Sequence, residues 1–308
     1  MVVAGVFLMF AGLVARADAK TLRIPVTSFD VAPASDRNPC EYVELGNDDA
    51  MDLRKFEVRT PRNHLHHILL YAYLGADRDP ALFTKALIDG DACVAIGPPD
   101  MAGHTLGLLG AVRAGTYTLP AGYAVSIGPR QPLAIHMHAF NESARKTRKT
   151  VIRITATAAD PSEVKHHLEP MDVVGKTFEL PPQTRTTWVA DMVAPFPMNV
   201  VMVASHQHRF GTRVSIRPVI GGVEGDPIYE NRRWAEPHLR WTDTPIRLDT
   251  GDRLRLFCEW NNRSDETLRY GPSALDEMCN LNGYFFRDVD LPREQRTGVT
   301  GDLMPLVP

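Results

Sequence analysis

Short runs of alternating or β-branched residues recur along nearly the whole chain, with Gly, Pro, Asn and Asp between them. In the first half they cover Thr21 to Val31, Phe56 to Thr60, His66 to Leu74, Tyr117 to Ile127, Leu133 to Phe140 and Thr150 to Ala156. In the second half they cover Thr177 to Leu180, Thr186 to Val193, Val200 to His208, Thr212 to Ile220, Pro245 to Trp260 and Tyr284 to Val289. A period of two, punctuated by turn residues, predicts strands, so the expected fold class is all-β. Asp79 to Ile88 and Met101 to Val112 read as short helices, the second weakened by Gly103, Gly107 and Gly110. The repeat of roughly 20–50 residues that marks a propeller or solenoid is missing.

The polar stretch Ala158 to Gly175, which holds Pro161 and Pro170, divides the chain into halves of ordinary domain size. The expected organisation is therefore two β-sandwich domains, residues 20–160 and 161–308. Ahead of them, Val2 to Val14 is apolar but too short to span a bilayer, and Ala17-Asp18-Ala19 resembles a small-residue cleavage site. Residues 1–19 are read as a signal peptide that lacks a basic n-region, giving a secreted or periplasmic protein with no stable membrane association after cleavage.

Composition narrows the function. The chain has 308 residues, 44% of them hydrophobic, and a formal charge of -3, which describes a globular protein with no broad basic field. The one basic run, Arg145-Lys146-Thr147-Arg148-Lys149, reads as a solvated turn, so no nucleic-acid partner is expected. Four cysteines in an exported chain predict two disulfides among three possible pairings. Cys258 lies on a strand-like run and Cys279 follows Met278, so a bridge there would fix the backbone carrying the thioether. This pairs Cys258 with Cys279 and leaves Cys40 with Cys93.

The candidate chemistry is metal chemistry. On an extended strand His206 and His208 share a face, and with Met278 they offer two imidazoles and a thioether, a soft set that favours copper over zinc. Met202 is in phase with the same pair, with plain core packing as its alternative. A second, all-histidine set lies on Leu65 to Tyr71 and Ile135 to Asn141. Strand periodicity pairs His64 with His66 and His136 with His138; adjacent His66 and His67 can serve one metal only through a bulge or divergent torsions, so the ligands stay open among these residues. His104, His166, His167 and His238 read as ordinary core or surface histidines. A phosphate loop, a His-Glu-x-x-His helix and a Gly-x-Ser-x-Gly elbow are all missing, which removes nucleotide transfer, zincin proteolysis and serine hydrolysis. A blue-copper site using Cys279 would make Met278 redundant and strip Cys258 of its partner.

Taken in order, His66-His67-Ile68-Leu69-Leu70-Tyr71, His138-Ala139-Phe140-Asn141, His206-Gln207-His208, Gly251-Asp252 before Cys258, and Asp276-Glu277-Met278-Cys279 resemble the landmarks of the copper type II, ascorbate-dependent monooxygenases. That is the family of peptidylglycine α-hydroxylating monooxygenase and dopamine β-monooxygenase. The resemblance implies two jelly-roll-like antiparallel sandwiches with one copper on each, facing a solvent-filled cleft. It selects His66, His67 and His138 for an electron-donating copper, and His206, His208 and Met278 for the copper that meets dioxygen. Ascorbate would reduce both coppers, and a substrate C–H bond would be hydroxylated at the His206, His208, Met278 site. Departures concern the substrate. Ala204 stands where the peptide-processing members carry a carboxylate-binding Arg, and Asn282 stands in place of their Tyr; Asn280 matches a substrate-contacting Asn. The implied activity is hydroxylation of a small organic or peptide substrate with O2 and ascorbate or another one-electron donor. The alternatives are a copper-binding protein of the same fold that stores, delivers or senses the metal, and a β-sandwich binding module with incidental histidines.

Overall fold

The computed structural model describes residues 20–60, 65–72, 86–89, 105–109, 114–234, 237–271, 273 and 275–306, with the backbone alone at His66, His67, 105–109 and 114. Every regular element among these residues is a strand apart from two short 3₁₀ turns, Pro161–Glu163 and Arg293–Gln295. The sequence-predicted helix over Met101 to Val112 is corrected: Thr105–Leu109 is a strand, paired antiparallel with Leu65–Ala72. Its glycines disfavour a helix, and the neighbouring strand offers it a hydrogen-bonding edge. Of the other predicted helix, residues 79–85 lie outside the described residues, and Ile88 forms a β-bridge with Cys40.

Two sheets are built from strands preceding Ala159. One runs Thr21–Ile24, Arg153–Ala158, Met51–Arg59, Tyr123–Ile127, with Ala114–Thr118 also on Met51–Arg59; the other runs Ser35–Arg37, Pro132–Asn141, Leu65–Ala72, Thr105–Leu109, with Cys40–Glu44 on Pro132–Asn141. Leu53, Phe56, Val58 and Ile154 from the first and Ile68, Leu70, Leu133, Ile135 and Met137 from the second fill one core. Alternation decides which side chains enter it. Odd-numbered residues of Pro132–Asn141 face this core, so His136 and His138 lie on the other face.

Phe29–Val31 pairs apart with Arg148–Thr150, and Glu179–Leu180 with Leu268–Arg269, while most of the other strands after Ala159 form a second sandwich, the β-sandwich expected for the C-terminal half. Arg240–Leu248, Met198–His206, Asn280–Phe286, Glu169–Val174 and Val299–Asp302 make one sheet; Val223–Glu224, Gly211–Ile220, Arg253–Asn262, Thr184–Val193 and Met304–Pro305 make the other. Pairing is antiparallel apart from Glu169–Val174 against Val299–Asp302, and His166–His167 against Tyr123. Leu254, Leu256, Cys258 and Trp260 alternate inward against Val200, Val203, Leu281 and Phe285.

The two halves are packed together. Met202, Ala204 and Tyr284 are buried in the first half's core, which explains why Val200 to Ala204 is an unbroken apolar run rather than an alternating one. His167 bridges them in charge, with Nδ1 2.7 Å from Asp290 and Nε2 3.2 Å from Asp52. Arg293 donates to Gln131 at 3.1 Å and Arg296 to the Ser126 hydroxyl at 2.8 Å.

Candidate metal centre

Met198–His206 ends at the first histidine of the pair, so strand pleat does not set the second. His208 sits in the turn closed by the Gly211 N–H on the His208 carbonyl at 3.0 Å. The two rings nevertheless come together, centroids 5.0 Å apart and nearly perpendicular. What places His208 is Glu277. Its carboxylate accepts the His208 N–H at 3.1 Å, the Phe210 N–H at 2.7 Å and the Trp260 indole N–H at 3.0 Å. It is fully buried, and desolvation pushes its carboxyl up to about 7 against the pull of these donors.

Met278 follows directly, 2% exposed. Its sulfur receives the Asn280 amide at 3.5 Å, and Asn280 lies opposite His206 in the ladder. Cys279 is bonded to Cys258, whose strand crosses the floor of the same core, so the disulfide anchors the segment one residue after the thioether. Met278 is thus tied to His206 through Asn280 and to His208 through Glu277. The His208 Nδ1 lies 3.0 Å from the Asp276 carbonyl, a contact that holds the proton on Nδ1 and leaves Nε2 with a lone pair. Burial pushes His208 down to about 4, with the Asp276 carbonyl opposing, so the imidazole is neutral at pH 7, the form a metal ligand needs. No group of three His, Cys, Asp or Glu side chains suited to a metal occurs among the described residues. Met202 belongs to the core.

In the first half the ladder pairs His138 with His67 and Ala139 with Leu65. His66 is therefore the extra residue of a β-bulge, one of the two ways in which successive histidines could serve one metal. His138 is 1% exposed, with Nε2 3.4 Å from an Asp36 oxygen. His136 shares its face and is equally buried; desolvation, reinforced by His138, pushes it down to about 3. His64 and Cys93 lie outside the described residues, while Cys40 is disulfide-bonded. The His138 imidazole and the Asp36 carboxylate both act on the ionisation of His208, so the two histidine sets are electrostatic neighbours. His138, His208 and Met278 are at most 2% exposed.

Residues 173–296 match the family model of the copper type II ascorbate-dependent monooxygenase C-terminal domain. Over that span the chain is similar to that domain. The matched span contains His206, His208, Met278 and both cysteines of the observed disulfide. No curated protein matches the chain. Among solved structures it is similar to the major capsid protein P2 of bacteriophage PM2, at 10% identity over 88% of this chain and 99% of that one, with a TM-score of 0.30. A triple jelly-roll protein of an archaeal virus is 8% identical over 92% of this chain and 61% of that one, with a TM-score of 0.22. At such scores neither likeness bears on function.

Sequence reasoning missed Glu277 as the residue that organises the monooxygenase domain's site, although it stands inside the Asp-Glu-Met-Cys motif. It also missed Asp172, which lies opposite Asn282 on the neighbouring strand and accepts its amide at 2.8 Å. A lone Asp in Met171-Asp172-Val173-Val174 carries no motif.

Proposed function

We propose that the protein is a copper-dependent monooxygenase that hydroxylates a C–H bond of a small organic or peptide substrate, using O2 and electrons from ascorbate or another one-electron donor. The observation that carries this reading is the buried Met278 thioether, tied to His206 and His208 by Asn280 and Glu277 in a domain of the ascorbate-dependent copper family. Two imidazoles and a thioether fit copper, the thioether favouring Cu(I). Copper held there would supply one-electron chemistry towards dioxygen. The protein's own part is to keep His208 neutral with Nδ1 on the Asp276 carbonyl, to hold Met278 between its disulfide and Glu277, and to exclude water. His66, His67 and His138 would hold a second copper, joined at a strand bulge. Substrate contacts would come from the Asn280 and Asn282 face. The domain limits 20–160 and 161–308, the signal at residues 1–19, and a secreted or periplasmic location belong to the same proposal. They are supported by disulfides that need an oxidising compartment and by the lack, among the described residues, of any helix able to cross a membrane.

Copper analysis of the purified protein, followed by oxygen uptake with ascorbate across a panel of metabolites and peptides, tests the reading. Two coppers per chain and substrate-dependent uptake with a hydroxylated product are expected. Failure to retain copper after reconstitution would overturn it, and two coppers without any product would favour storage or delivery of the metal.

A further inference from the structure

The Asn141 side chain ties two strands of the first half together. Its amide nitrogen donates to the Val31, Ala32 and Lys146 carbonyls at 3.0, 2.8 and 2.9 Å, and its oxygen accepts the Ser143 N–H at 3.1 Å. With both ends of a fully buried amide engaged, the chain entering Ser35–Arg37 is fixed against the end of Pro132–Asn141. What that clamp presents is Asp36. The ladder sets Asp36 opposite Phe140, which puts it on the face of His136 and His138, and its carboxylate oxygen stands 3.4 Å from the His138 Nε2. On the other side of Pro132–Asn141, His67 is opposite His138. Asp36, His138 and His67 therefore follow one another across three neighbouring strands. Between Asp36 and Cys40, both paired to Pro132–Asn141, Asn38 keeps its side-chain oxygen buried with no hydrogen-bond partner among the described residues. The chain alongside His138 offers oxygen and not apolar cover.

The separation at Asp36 is informative. An N–H···O hydrogen bond runs at about 2.7–3.2 Å. Two atoms bound to one metal at about 2.0–2.2 Å, with a tetrahedral angle between them, stand about 3.3–3.5 Å apart. The 3.4 Å between the carboxylate and the buried imidazole has the second spacing.

We propose that Asp36 is a further ligand, through a carboxylate oxygen, of the copper assigned to His66, His67 and His138. The inference rests on the reading of those histidines as a copper site. A carboxylate is a hard, anionic donor that stabilises Cu(II) relative to Cu(I), the opposite of the Met278 thioether. The first-half copper then has the lower potential of the two and is the stronger reductant. Its Cu(I) becomes Cu(II) as one electron passes to the second-half copper, which goes from Cu(II) to Cu(I).

Pulsed electron paramagnetic resonance of the Cu(II)-loaded full-length protein tests the bond directly. Protein carrying aspartate labelled with a magnetic carbon isotope at the side-chain carboxyl should show a coupling of that carbon to copper, and Asp36→Asn should abolish it. The second-half site, with two imidazoles and a thioether, contributes none. Asp36→Asn should also weaken Cu(II) at the first-half site by about tenfold or more while leaving Cu(I) nearly unchanged. The potential there should then rise by about 59 mV for each tenfold. No carbon coupling in the wild-type protein, a coupling that survives in Asp36→Asn, or equal loss of Cu(I) and Cu(II) would each overturn the proposal. The labelled wild-type measurement stands even if the variant folds poorly. A protein with the coupling but without oxygen uptake would sink the monooxygenase reading alone. A working oxygenase without the coupling would sink this inference alone, and a protein that takes up no copper would sink both.

Discussion

His138 and His208 are buried to the same extent, yet they are placed by different kinds of structure. His138 lies on the Pro132–Asn141 strand, where its backbone pairing with His67, next to one bulged residue, fixes its position. His208 lies beyond the end of its strand and is held by its own local turn, and by a buried carboxylate and a disulfide-anchored segment about seventy positions later. The first arrangement is insured by backbone hydrogen bonds that any sequence with the same pattern would make. The second depends on particular side chains, so single substitutions should damage it more.

The most severe test of this contrast removes one donor from each side. Met278→Ile roughly conserves volume, so the fold should persist while the copper–sulfur contribution in X-ray absorption disappears and product formation drops by about a hundredfold or more. His138→Ala should leave that sulfur signal in place and lower the copper content from two per chain towards one. A Met278→Ile protein that hydroxylates at the wild-type rate would show that the thioether is not a ligand.

A smaller effect is expected from the cross-link itself. Replacing Cys258 and Cys279 by Ala together opens a loop of sequence separation 21, which should cost about 3 kcal/mol in urea denaturation. The loss should weaken copper binding at the Met278 site more than at the His138 site. Equal weakening at both would mean that the disulfide serves the fold in general and not the thioether segment.

The smallest effect concerns the seam between the halves. Asp52 and Asp290 hold His167 above its ordinary range, the Asp52 contact being the larger cause. A raised histidine stabilises the folded state fully below its unfolded value of about 6.5, and that contribution is lost as pH rises through the raised folded value. Stability should therefore fall as pH rises from 6 to 9, and His167→Gln should flatten that slope. A slope unchanged in the variant would remove His167 from the contact's energetics.

Much of this was legible in the chain. Period-two runs between turn residues gave the all-β class, because alternation is a local property that one sheet face imposes on any strand. The order of the histidine, Gly-Asp and Asp-Glu-Met-Cys landmarks carried the family resemblance, which residues 173–296 match, and strand geometry allowed His66 and His67 one metal only through a bulge or divergent torsions before the ladder showed a bulge. The tertiary structure alone decided the rest. Thr105–Leu109 is a strand because an edge was available to it, a fact its glycine-rich sequence does not contain. The strand carrying the second pair stops at His206, and a glutamate distant in sequence brings His208 back beside it. Asp172 looks like an ordinary interruption of an apolar run until pairing sets it beside Asn282. Local periodicity is encoded residue by residue, whereas the partners of a buried carboxylate are chosen by which strands become neighbours, and only the folded chain settles that.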